Sequence, residues 1–147
     1  METLAEKRFF LEIDESETEF PSLISMKSSV LEAKWRGSGS LCAWVDHGPT
    51  PWWMRLFGAR RDTESFFSLR WRGSHACLIF LDDNGSEYRA IDEKYPIPLD
   101  EPLSEAMMSE DPQPKEEVMR KDRSFLAITE FLDSGTRPAW LRYRFVE

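Results

Sequence analysis

The sequence predicts an α+β fold: a mostly antiparallel β-sheet, a meander, with one long C-terminal helix packed on it and a closing C-terminal strand. Three observations carry this expectation. Three segments that read as strands, Glu64–Trp71, Ala76–Leu81 and Glu87–Ile91, follow one another with only short turns between them. One amphipathic stretch, Lys115 to Leu132, runs toward Gly135 and Pro138. Beyond it, Leu141, Tyr143 and Phe145 alternate with Arg142 and Arg144, the pattern of a strand. A chain of 147 residues suits one domain, 1–147, and is long enough to bury roughly two-thirds of its unfolded surface.

The elements follow in order. Arg8 to Ile13 reads as a strand with Phe9, Leu11 and Ile13 on one face. Ser16 and Glu19 fit a capping box, so a short helix is expected within Glu15–Lys27, limited by Pro21. Val30–Trp35 reads as a second strand ended by Gly37-Ser38-Gly39, and Leu41–Val45 as a third stopped by Asp46-His47-Gly48-Pro49. Asp83-Asn84-Gly85 between two strands predicts a hairpin, with Asn84 and Gly85 taking positive φ in a type I′ turn. Pro96, Pro98, Pro102, Pro112 and Pro114 mark a long acidic connection, with a short helix expected at Leu103–Met108. The long helix then starts after Pro114, with Glu116 and Glu117 against its dipole and Val118, Phe125, Ile128, Phe131 and Leu132 as its apolar face. Gly135 supplies the left-handed stop.

Charge narrows the function. The net charge is −8, which argues against general nucleic-acid binding and favours a basic partner. Nine acidic side chains lie between Asp92 and Glu117, where Lys94 and Lys115 are the only basic ones. Met1 to Arg8 lacks the pattern of a signal peptide, and Ala76–Leu81 is far too short to span a membrane. The expected compartment is the cytoplasm, with Cys42 and Cys77 reduced and no membrane partner.

Chemistry-bearing constellations are sparse. Cys42, His47, His75 and Cys77 are the right residue types for zinc, but Cys-x4-His followed much later by His-x-Cys matches no zinc knuckle. No phosphate loop is present, since Gly37-Ser38-Gly39 lacks the Lys-Ser/Thr end. No residue is assigned to catalysis and no cofactor is expected; a binding protein is. Six Trp exceed what a small core usually needs. Pro51-Trp52-Trp53-Met54-Arg55-Leu56-Phe57 reads equally well as a cover for one end of the sheet or as an aromatic interface anchor.

The last quarter of the chain carries a resemblance. Glu130-Phe131-Leu132-Asp133-Ser134-Gly135-Thr136-Arg137-Pro138, followed by Leu141-Arg142-Tyr143, resembles the C-terminal phrase of the first immunity-protein family, Imm-one, of bacterial polymorphic toxin systems. Pro96–Glu101 is similar to the family's approach to the last helix, and Tyr143 stands where the family commonly has Trp. The resemblance implies an antitoxin that occludes the active site or substrate cleft of a cognate toxin domain, often a nuclease or nucleic-acid deaminase. Under that reading Asp82, Asp83, Asp92, Glu93, Asp100 and Glu101 stand in for phosphates, and Trp52 and Trp53 supply the apolar anchor. Gly135, Pro138 and Arg137 are expected to act structurally, Arg137 on the freed carbonyls of the helix end. The rival readings are a metal-binding protein or enzyme built on the Cys/His set, and an adaptor subunit docking through the Trp patch.

Overall fold

Among the described residues eight strands, paired antiparallel throughout, form one sheet, seven of them in the order β2-β1-β3-β4-β5-β6-β8. They are β1 (Arg8–Ile13), β2 (Ser16–Phe20), β3 (Ser38–Pro49), β4 (Arg61–Arg72), β5 (His75–Leu81), β6 (Glu87–Ile91), β7 (Met119–Arg120) and β8 (Arg142–Val146). The short β7 pairs the start of β5, beside the length that β6 occupies. Among the described residues two α-helices, α1 (Lys27–Ala33) and α2 (Lys121–Ser134), lie on one face. The computed structural model describes residues 7–49, 53, 56, 61–98, 100–101 and 114–147. The fold is thus the α+β arrangement that the sequence predicts. Among the described residues no helix is long and apolar enough to cross a membrane.

Period-two alternation explains the core. Leu11, Ala43, Phe67 and Phe80 stand in one cross-strand row; Leu41, Leu69 and Leu78 stand in the next. All seven are buried under the helices, where Val30, Phe125, Ile128 and Phe131 meet them. A bulge at Ala43/Trp44 leaves Phe66 as an extra residue in β4, so Phe66 and Phe67 both reach Phe131, at ring distances of 6.0 and 5.7 Å. Trp71 lies edge-on to Phe125 at 5.2 Å and donates its indole N–H to the Arg36 carbonyl.

Five local expectations are corrected. Ser16–Phe20 is an edge strand, because Asp14 and Glu15 adopt φ of 47° and 69° and turn the chain in a two-residue hairpin. Asp14 stabilises that turn by accepting from Arg36 at 2.7 Å and from the Ser40 amide at 2.9 Å. Val30–Trp35 is mostly helix, since Met26, Val30 and Ala33 share one buried stripe. β3 runs on through Asp46-His47-Gly48-Pro49, where a second register irregularity takes up the break. The hairpin at Asp82 uses a type I turn with Gly85 alone at positive φ, 80°, closed by Gly85 N–H to the Asp82 carbonyl. Finally, Lys115–Leu132 is not one helix. Lys115–Glu117 forms a single 3-10 turn, Met119–Arg120 joins the sheet, and only Lys121–Ser134 is α-helical. The helix expected at Leu103–Met108 lies outside the described residues.

Candidate functional site

The face of the sheet opposite the helices carries the site. Alternation sends Cys77, Ile79, Arg89, Ile91, Arg142 and Arg144 to this face. The residues just after β6 and just before β7 pack onto it, Ile97 and Val118 clustering with Cys77. Glu117 is buried here at 2 % exposure, and a buried carboxylate is tolerated only with partners. Arg144 donates to its Oε1, while Arg89 Nη1 lies 3.9 Å from Oε2.

Two further pairings hold the acidic connection down. Arg123, in the first turn of α2, donates its Nε to Asp92 Oδ2 at 2.8 Å. Glu101 meets His75 Nε2 at 2.6 Å and Arg120 Nη1 at 3.1 Å, and its carbonyl accepts Lys115 Nζ at 2.6 Å. The His75 hydrogen bond and the Arg120 charge hold the Glu101 carboxyl below its usual range.

Between these pairings lies a pocket of about 580 Å³. Ile91, Ile97 and Val118 give it an apolar floor, with Pro96 and Pro98 beside them. Glu93, Glu116, Lys115 and Arg142 bring charge to the lining. Glu93 is exposed and bonded to Arg142 at 2.7 Å, and Glu116 is exposed. An apolar floor below exposed carboxylates suits a long basic side chain, whose stem packs while its head bonds.

The predicted acidic set is divided by this geometry. Asp92, Glu93, Asp100 and Glu101 gather after β6, whereas Asp82 and Asp83 sit at the opposite end of β6, roughly 20 Å away at the rise of a strand. Roles differ within each group. Asp82 accepts the amides of Asn84 and Ser86 and so builds its own turn, while Asp83 is exposed. Asp92 is buried and Glu101 is bonded inward, which leaves Glu93 and Asp100 facing outward. Trp53 is 53 % exposed, in the β3–β4 connection at the Asp82 end of the sheet. Trp52 lies outside the described residues.

The Cys/His set is not assembled. Cys42 aligns with Ser68 on β4 and Ile79 on β5, so two strand spacings, about 10 Å, part it from β5, which carries His75 and Cys77. His47 turns to Glu64 at 3.2 Å and His75 to Glu101. Burial pushes both thiols up, keeping them protonated and poorly nucleophilic. Among the described residues no three His, Cys, Asp or Glu side chains converge as a metal site.

The C-terminal phrase is structural. Gly135 caps α2 at φ 76°, its N–H bonded to the Phe131 carbonyl at 2.7 Å. Arg137 does not serve the helix carbonyls as expected; it stacks 3.5 Å over Tyr88 and 5.1 Å from Tyr143. Tyr143 donates to the Pro138 carbonyl at 2.7 Å, and Trp140 to Glu130 at 2.6 Å. Sequence reasoning missed the pocket floor, although Ile97 between two prolines in an acidic stretch is the signal for it. No protein-family model matches the chain, and none of the curated proteins does.

Proposed function

We propose that this protein acts by binding: it is an immunity protein that neutralises a basic bacterial toxin domain, a nuclease or nucleic-acid deaminase, by occluding its active site or substrate cleft. The observation that carries the reading is the pocket beside the acidic connection. A toxin that handles nucleic acid presents Lys and Arg to phosphates. Such a side chain lays its stem on Ile97 and Val118 and brings its head to Glu93 and Glu116, with Asp100 adding to the attraction. The net charge of −8 speeds encounter with that partner. The phrase ending in Pro138 supports the family resemblance, and its residues build the scaffold rather than the contact.

The test is co-expression with the protein encoded immediately upstream, followed by size-exclusion chromatography and a growth-rescue assay. A stable complex and restored growth are expected. Glu93→Lys with Glu116→Lys should slow association at least tenfold and flatten its salt dependence, by loss of steering. Absence of both complex and rescue overturns the immunity reading. A complex that the charge reversal leaves unchanged removes the pocket from the interface.

A further inference from the structure

The helical face carries a second surface, away from the acidic pocket. α1 and α2 run antiparallel, tied by Lys27–Asp133 at 2.8 Å and by Lys34–Asp122 at 3.4 Å. Leu31 lies four residues after Lys27 and three before Lys34, on the same helical stripe as both. Leu126 lies four after Asp122 and seven before Asp133, and shares their stripe on α2. The two leucines therefore flank the seam between the helices from opposite sides, at mid-height. Both are exposed, 42 % and 44 %, as are Ile24 at 57 % and Trp35 at 88 %. Ile24 and Trp35 precede and follow Leu31 by seven and four residues, which continues its stripe. An apolar stripe that ends on a Trp that exposed resembles the core of a protein interface.

We propose that this seam is a self-association surface occupied by a second copy of the chain, related by a twofold axis that runs along the seam. The charge pattern selects the occupant and the axis. The α1 side carries Lys27 and Lys34, and the α2 side carries Asp122 and Asp133. A twofold along the seam keeps height and exchanges sides, laying α1 over the second copy's α2. Because this axis keeps height, Lys27 then faces Asp133 of the second copy and Lys34 faces Asp122, each across the offset that the same pair already spans within one chain, and Leu31 and Leu126 meet near mid-height. A twofold across the seam lays α1 on α1, and like charges oppose each other. An isologous patch must be complementary to itself, and this one is along a single axis. The apolar pocket lies on the other face of the sheet, so the pairing leaves it open in both copies and does not rest on the toxin reading.

Sedimentation equilibrium of the full chain at roughly 100 µM is the first measurement, a concentration at which even weak specific dimers populate. A reversible dimer is expected. Lys27→Glu with Lys34→Glu makes both rims acidic, and Asp122→Lys with Asp133→Lys makes both basic. Each double variant should self-associate at least about tenfold more weakly while keeping its circular dichroism spectrum, since exposed pairs contribute little to folding. Mixing the two variants should restore a heterodimer, because every facing position is then opposite in sign. A monomeric wild-type chain overturns the proposal. So does a dimer that either variant leaves intact, or a mixture no more associated than its components.

Discussion

Arg123 in the first turn of α2 reaches across to Asp92 at the end of β6, Nε to Oδ2 at 2.8 Å, with the carboxylate side chain 1 % exposed. The most buried of the predicted contact carboxylates is therefore a strut. Arg123 also stacks 4.2 Å from the Trp140 ring and 4.6 Å from that of Tyr95, so one guanidinium ties helix, sheet and connection together.

Asp92 and its neighbour Glu93 should then separate stability from binding. Asp92→Ala leaves a partly buried guanidinium without its carboxylate, a loss of about 2–4 kcal/mol in urea unfolding. Glu93→Ala removes an exposed pair with Arg142 and should cost under about 0.5 kcal/mol, while under the proposed function it should weaken binding of the basic partner. Equal stability losses for the two variants would show that Asp92 is not the strut.

Gly39 marks a close approach of sheet and ring. A Cβ there would lie 2.7 Å from Trp71 Cζ2, 2.9 Å from Cη2 and 3.0 Å from Asp14 Oδ1. Trp71 is 1 % exposed and held through its indole N–H by the Arg36 carbonyl, so its ring has nowhere to retreat. Gly39→Ala should destabilise by about 1–3 kcal/mol, the range for overpacking a core. Gly37→Ala, whose Cβ meets nothing within 4 Å, is the control and should change the urea midpoint little.

Legibility followed burial. β1 lies where its alternation placed it, because a half-buried strand writes period two into its sequence, and β6 lies where the turn before it placed it. β2 was illegible for the same reason. Ser16-Glu17-Thr18-Glu19 faces solvent on both sides of an edge, and its Ser and Glu spacing imitates a cap. The type I′ turn expected at Asn84-Gly85 belongs instead to Asp14-Glu15, where Arg36 and Ser40, far along the chain, hold a conformation the local residues resist. Helical spacing ran unbroken through Met119, but the free edge of β5 captured that segment, with Lys121 N–H bonded to the Ser74 carbonyl at 2.7 Å. At the site, acidity was legible and its division was not. Which carboxylate turns inward depends on partners from β5, β7, β8 and α2, namely His75, Arg120, Arg144 and Arg123, that no local pattern assigns.

The Glu101 anchor should respond to acid. His75 and Arg120 favour the charged carboxylate, so its folded value is depressed below the unfolded one of about 4.3. A depressed value means that the unfolded chain binds more protons in this window and that stability rises with pH. The contribution is present above the unfolded value and lost as pH falls through the folded one. Glu101→Gln should lower the urea midpoint near neutrality, and the difference from wild type should shrink on acidification below about pH 4. A difference that stays constant to low pH would show that the anchor does not depend on charge.

Tyr143 sets the opposite limit, at high pH. Burial pushes its phenol up to about 12, against the opposing pull of the nearby Arg137 charge. An acid whose folded value is raised contributes stability that is complete below its unfolded value, about 10, and lost as pH climbs through the folded one. Absorbance titration should show one tyrosine ionising last, together with a falling urea midpoint above pH ~10. Tyr143→Phe keeps the ring beside Phe80 but loses the hydrogen bond to the Pro138 carbonyl, a loss of about 0.5–1.5 kcal/mol near neutrality. Because the variant has no phenol there, its stability should decline less steeply in alkali, and the two curves should converge. Parallel curves would mean that the alkaline loss arises elsewhere, and that the hydroxyl on the last strand does not hold the turn after α2.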